Sequence, residues 1–201
     1  LSIAGSDCSG GAGIQADLKT FSAYGVYGMS VIVSVVAENT GRVIGIQDIS
    51  ADMIGKQIDA VFEDIEVDAV KVGMLSTPDC MEEVAQKLKY YHPANIVVDP
   101  VMYAKNGCPL MEPDAIETLI GTVIPLADVL TPNIPEAEKI IRTKIGSITD
   151  MEEAAKEICA MGCRAVVVKG GHAAGNAADV LFDGEEICHF DTVRIDTKNT
   201  H

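Results

Sequence analysis

Basic side chains are scarce in this sequence. Its 201 residues hold 15 Lys and Arg against 30 Asp and Glu, a formal net charge of −15. Affinity for a polynucleotide rests on many Lys and Arg contacts to phosphate, so nucleic acid is not an expected partner. A small anionic ligand stays open, because backbone amides, a helix N-terminus or a metal ion hold phosphate locally against an acidic surface. Long apolar runs are also missing. None approaches the roughly 18 residues that a membrane span requires, and the first residues show no basic flank followed by an apolar stretch and a cleavage site. We therefore expect no membrane partner and a cytoplasmic protein. The six cysteines, Cys8, Cys80, Cys108, Cys159, Cys163 and Cys188, form no C-x-x-C pair and no zinc-type spacing with histidine. They read as free thiols. Cys159 and Cys163 lie one helical turn apart, where packing on an apolar face is the stronger reading than a metal pair. Repeats, low-complexity segments and linkers are absent, and 48% hydrophobic content in a chain of this length implies one domain with a sizeable core.

What is present is an alternation. Short runs rich in Val and Ile at residues 29–36, 69–72, 95–99, 127–131 and 165–169 read as buried strands. Stretches with helical spacing separate them at 16–24, 52–63, 78–90, 112–124, 135–141 and 151–161. Such a pattern implies right-handed crossovers and an α/β fold, a mainly parallel central sheet with helices on both faces. The chain opens at Leu1-Ser2-Ile3-Ala4, inside a strand, and stops at Thr197-Lys198-Asn199-Thr200-His201 without a terminating element. We expect a single domain over residues 1–201, truncated at both ends.

Ligands of such sheets bind outside the carboxyl ends of the strands. Residues 4–17, AGSDCSGGAGIQAD, place Gly5, Gly10, Gly11 and Gly13 where a strand turns into a helix. Backbone there can approach a ligand closely, and helix-start amides can donate to it; a turn that needs positive φ is the plainer alternative. A Walker A loop is excluded, since its lysine is absent. Gly11-x-Gly13-x-x-Ala16 with Glu38 further on fits the dinucleotide fingerprint in form, but Ser6 to Gly10 intervene where that motif sets its first glycine against the strand.

Asp99 follows Ile96-Val97-Val98 and precedes Pro100, so its carboxylate sits at the sheet edge, able to ligate Mg²⁺ or to cap a turn. Asn133 and Glu136 are spaced N-x-x-E after the next strand, which serves a hydrated cation with its phosphates or a helix capping box behind Pro135. Lys169-Gly170-Gly171-His172 ends a strand with a point charge suited to phosphate, against the alternative of a surface lysine beside a turn. His172 alone reads as a solvated loop residue rather than a base.

Taken together and in order, AGSDCSGGAGIQADLKTFSAYGVYG, VVAENT, KVGML, DPVM, TPNIPEAE, VVVKGGH and TKNTH resemble the motifs of the hydroxymethylpyrimidine kinase family, on the ribokinase-like fold. The likeness runs through nearly the whole chain and displaces the reading of a nicotinamide-dependent oxidoreductase that the dinucleotide fingerprint would suggest. It implies ATP-dependent phosphorylation, with Mg²⁺, of 4-amino-5-hydroxymethyl-2-methylpyrimidine and then of its monophosphate. It also implies that Gly5, Asp17, Glu38, Met74 and Val101 line a pyrimidine pocket, Glu38 meeting the amino and nitrogen edge of the ring. Asp99 and Glu136 would organise the metal, Asn133 and Lys169 the nucleotide, and the protein would be a homodimer.

In that family TKNTH runs into a GTGC segment whose amides form an anion hole and whose Cys acts at the substrate hydroxyl. No catalytic residue of that kind is present, so the resemblance implies that the encoded protein continues past His201. Two rivals stay open: a pyridoxal kinase of the same fold, since pyridoxal is also a hydroxymethylated six-membered heterocycle, and a noncatalytic pyrimidine-binding protein. Glu38-Asn39-Thr40 and residues 197–201 are closer to the thiamine branch.

Overall fold

A computed structural model describes residues 1–104, 107, 109–112, 114–171 and 177–193. Within them lies one sheet of nine strands. β1 (Ser2–Asp7) leads through α1 (Gly13–Ala23) to β2 (Ser30–Asn39), which turns back as β3 (Arg42–Asp48). α2 (Ala51–Phe62) and β4 (Val70–Val72) follow, then α3 (Pro78–Tyr91), β5 (Ile96–Val98) and α4 (Ala115–Thr118). β6 (Val129–Leu130), α5 (Ile134–Ile141), α6 (Ile148–Cys159) and β7 (Ala165–Val168) precede a hairpin of β8 (Ala177–Phe182) and β9 (Ile187–Thr192). The strand order is β3-β2-β1-β4-β5-β6-β7-β8-β9. Pairing is parallel from β2 through β7 and antiparallel at both edges.

The direction of winding reverses at β1. The β1-α1-β2 unit steps one way along the sheet and β4-α3-β5 the other, so right-handed crossovers put α1 and α3 on opposite faces. Helices on both faces are thus as expected. The same reversal leaves a crevice between the carboxyl ends of β1 and β4, the switch point of the sheet.

The helices α2, α3 and α6 start where the sequence supplies a cap. Ser50, Thr77 and Ser147 accept from the amides of Met53, Cys80 and Asp150, and Pro78 sits in the first turn of α3. The core between sheet and helices is aliphatic, with Ile3, Val33, Ile54, Val72, Met81 and Ile158 fully buried. Cys159 and Cys163 follow the packing reading: the Cys159 thiol donates to the Cys163 carbonyl at 3.2 Å, and the Cys163 side chain is buried.

Three strands were not anticipated. β3 is an edge whose residues are almost all solvent-facing, so it carries no continuous apolar run. The β8–β9 hairpin turns at Asp183-Gly184, where Asp183 Oδ1 accepts from the amides of Glu185 and Glu186 at 2.9 and 2.7 Å. A D-G pair between two apolar stretches was the available signal for it. The expected helix over 112–124 is helical but irregular. α4 passes into a π turn at Leu119–Val123 and a 3-10 turn at Ile124–Leu126. Thr122 donates its hydroxyl to the Thr118 carbonyl at 2.6 Å and Pro125 lacks an amide, so the regular ladder fails there.

Candidate active site

A cavity of about 320 Å³ opens at the switch point. Gly5, Asp17, Glu38, Met74 and Val101 all line it, together with Asp99. Residues from β1, α1, β2 and the segments after β4 and β5 therefore converge on one concave site, of a size that suits a single heterocyclic ring. Gly5 is close-fitted: a Cβ there would lie 3.3 Å from Met74 Sδ.

The glycine-rich turn is built around Asp7, a residue to which the sequence reading gave no role. Its carboxylate accepts from the Ser9 amide (2.7 Å), the Ser9 hydroxyl (2.9 Å), and the amides of Gly11 (2.9 Å) and Ala12 (2.8 Å). These amides belong to the turn ahead of α1, whose N-cap is Ala12 and whose first residue is Gly13. Asp7 thus organises the turn, in keeping with the turn reading. Gly13 adopts φ +56°, and a Cβ there would overlap the Gly5 carbonyl oxygen. A carboxylate just before a glycine-rich turn was the signal.

Burial works to raise the Asp7 carboxyl, but the bonds from Ser9, Ala12 and Gly11 outweigh it and hold the group below its ordinary 3.8. Because the folded value is depressed, the stabilisation is present above 3.8 and disappears as pH falls through the lower folded value. Asp7→Asn is expected to cost about 2 kcal/mol at neutral pH. In thermal denaturation from pH 7 down to pH 3, its deficit relative to wild type should shrink; a constant deficit would show that the charge is unimportant.

Beside this turn, Asp17 Oδ2 accepts from the Ser2 hydroxyl at 2.6 Å and from the Lys71 ammonium at 2.9 Å. Lys71 also lines the cavity. It escaped the sequence reading, although a lysine between Val70 and Val72 of a buried strand breaks the local pattern.

The second group of residues lies after β5, β6 and β7. Lys169 donates to Asp99 Oδ1 at 2.7 Å, and the Thr131 hydroxyl reaches the same oxygen at 3.1 Å. Asn133 and Glu136 form a full capping box, with the Asn133 amide on Glu136 Oε2 at 2.8 Å and the Glu136 amide on Asn133 Oδ1 at 3.0 Å. Glu136 is nonetheless only 4% exposed. Burial pushes its carboxyl up to about 7, with the nearby Asp99 charge adding to the rise and the Asn133 amide, Lys169 and the Met102 amide opposing it. Capping and a place in the charged cluster thus coexist. The glycine after Lys169 serves the sheet rather than a phosphate: a Cβ on Gly170 would overlap the Ala178 carbonyl, and the Gly170 amide donates to Asp179 at 2.8 Å.

The donor chemistry of Asp99 and Glu136 is all oxygen, which fits Mg²⁺. Among the described residues no group of three His, Cys, Asp or Glu is placed to hold a metal. Mg²⁺ sites commonly use one or two carboxylates, with water and phosphate for the rest. His172, Cys108 and residues 197–201 lie outside the described residues.

The phosphomethylpyrimidine kinase family model matches residues 7–201. The chain belongs to that family. It is 47% identical to the hydroxymethylpyrimidine/phosphomethylpyrimidine kinase of Salmonella typhimurium over 204 residues, covering all of this chain and 76% of the relative. A crystal structure of the phosphomethylpyrimidine kinase of Clostridium difficile superposes with TM-score 0.90 at 51% identity, over 96% of this chain and 83% of that one. An ADP complex of a pyridoxal kinase from Bacillus subtilis gives TM-score 0.92 at 42% identity, over 100% and 77%.

Proposed function

We propose that the switch-point cavity is the pyrimidine site of an ATP-dependent kinase that phosphorylates 4-amino-5-hydroxymethyl-2-methylpyrimidine and then its monophosphate. The observation that carries this reading is the meeting of Gly5, Asp17, Glu38, Met74 and Val101 around one ring-sized cavity. Met74 and Val101 supply apolar walls for the ring faces, and the carboxylates of Glu38 and Asp17 supply acceptors for the amino edge. Phosphoryl transfer needs little covalent work from the protein; it needs in-line positioning and stabilised charge on the moving group. Lys169 supplies a positive charge for the phosphates, and Asn133 its amide. Asp99 and Glu136 would hold Mg²⁺, which would supply positive charge against the charge that develops on the transferred phosphoryl group.

The chain acts as one domain in this proposal, supported by its single sheet. A homodimer is supported by the apolar side chains that β2 and β3 leave exposed, Val35 at 48% and Ile44 at 65%. A cytoplasmic location is supported by the free state of all five described cysteines. Among the described residues no helix is long and apolar enough to cross a membrane.

Pyridoxal phosphorylation is the second reading, favoured by the likeness to the Bacillus subtilis pyridoxal kinase. The test is incubation of the full-length protein with ATP, Mg²⁺ and either hydroxymethylpyrimidine or pyridoxal, following ADP release and product mass. Mono- and diphosphorylated pyrimidine are expected. Preferential pyridoxal phosphate would favour the second reading, and bound pyrimidine without turnover would leave a binding protein. Adding EDTA should stop transfer while pyrimidine binding persists; turnover that survives chelation would remove Mg²⁺ from the proposal.

A further inference from the structure

Lys71 is the most incongruous residue of the sheet. It lies between two fully buried valines in a central parallel strand, where a charge is costly unless it is paired. Its register partner on β1 is Ser2. Neighbouring residues in parallel register point to the same face, so the two side chains emerge together beneath Asp17 of α1. Both donate to a single atom, Asp17 Oδ2. The surroundings make room for this: Gly73 lies two residues along the same face, where a Cβ would come within 2.7 Å of the Lys71 ammonium and 3.0 Å of the Ala4 methyl. Lys71 and Asp17 are 26% and 16% exposed at their side chains, and both border the cavity.

With one oxygen holding both donors, the Asp17 carboxylate is fixed in rotation. Among the described residues no hydrogen bond reaches Oδ1. We propose that Lys71 is a positioning residue: with Ser2 it locks Asp17 so that Oδ1 faces the cavity as an acceptor for a ring-bound N–H or O–H, and thereby sets pyrimidine affinity. This inference rests on the assignment of the cavity as the pyrimidine site. A lysine that lacked this role would be an expensive way to fill a strand, since a well-packed apolar side chain there would be at least as stabilising as a partly buried ion pair.

The test is steady-state kinetics of the full-length kinase, with turnover of wild type on pyrimidine established first, because its absence would remove the site reading itself. Lys71→Met is expected to raise KM for the pyrimidine about 10-fold or more, the loss of a charge-assisted bond, while kcat and KM for ATP stay within about twofold. Lys71→Arg should recover most of that affinity. Asp17→Asn should raise the same KM, and the Lys71→Met/Asp17→Asn double variant should be no worse than Asp17→Asn alone, since Lys71 acts through Asp17. An unchanged pyrimidine KM in Lys71→Met, or penalties that multiply in the double variant, would overturn the proposal. Should Lys71→Met fail to fold, Ser2→Ala decides: a rise of about threefold in pyrimidine KM alone supports the lock, for one neutral hydrogen bond lost, and no change overturns it.

Discussion

Asp99→Asn is expected to lower kcat by about 10²- to 10³-fold, the range found when one preorganised electrostatic group is removed from a charged transition state. The substitution is chosen to keep the local structure. An amide oxygen can still accept from Lys169 and from the Thr131 hydroxyl, which now share Asp99 Oδ1. What disappears is the negative charge. Lys169 then lacks its counter-ion, and the site loses one of the two carboxylates able to hold a cation beside the phosphates. Affinity for pyrimidine should fall far less than kcat, because Asp99 borders the ring cavity but its charge acts chiefly on the moving phosphoryl group. Rapid-quench or steady-state kcat, paired with calorimetric titration of the pyrimidine, separates the two effects. A variant with wild-type kcat would return Asp99 to the role of a turn cap.

Much of this arrangement was legible from the chain. β2, β4, β5, β6 and β7 announced themselves because strands inside a parallel sheet are largely buried and read as short apolar runs, β4 despite its Lys71. The rule that ligands collect at carboxyl ends then pointed to Asp99, Asn133 and Lys169 from the order of residues alone. The ring-binding group was different. Gly5, Asp17, Glu38, Met74 and Val101 are far apart in sequence, and only the family motifs joined them. Edge strands failed for a physical reason: β3 is solvated almost throughout, so nothing in its composition had to be continuous. Asp7 and Lys71 were missed because each acts on the chain itself rather than on a ligand, and motif reading looks first for ligands. The capping box at Asn133 and Glu136 marks a limit of another kind. Spacing predicted both the cap and the charged cluster, and only burial of the Glu136 side chain, at 4% exposure, places it in both.

Gly13→Ala should be the most damaging single-methyl change in the glycine-rich turn, and Gly25→Ala is its control. Both glycines have positive φ, +56° and +72°, so each alanine carries about 1 kcal/mol of left-handed strain. They differ in what the new methyl meets. Around Gly25 nothing lies within 4 Å, whereas the methyl on residue 13 would overlap the Gly5 carbonyl and come within 3.2 Å of the Asp7 amide. Those neighbours are backbone of β1, held by the sheet, and cannot swing aside as a side chain would. Overpacking of this sort adds about 1–3 kcal/mol. At about 2–4 °C per kcal/mol for a chain of this size, Gly25→Ala should lower Tm by about 2–4 °C and Gly13→Ala by about 10 °C. The second change also acts on function. Gly5 is fitted against Met74 across the cavity, so a displaced Gly5 carbonyl alters the wall that the ring would rest on. Pyrimidine affinity should therefore fall in Gly13→Ala and hold in Gly25→Ala. Equal Tm losses in the two variants would mean that the turn yields freely, and that its fit to β1 does not shape the site.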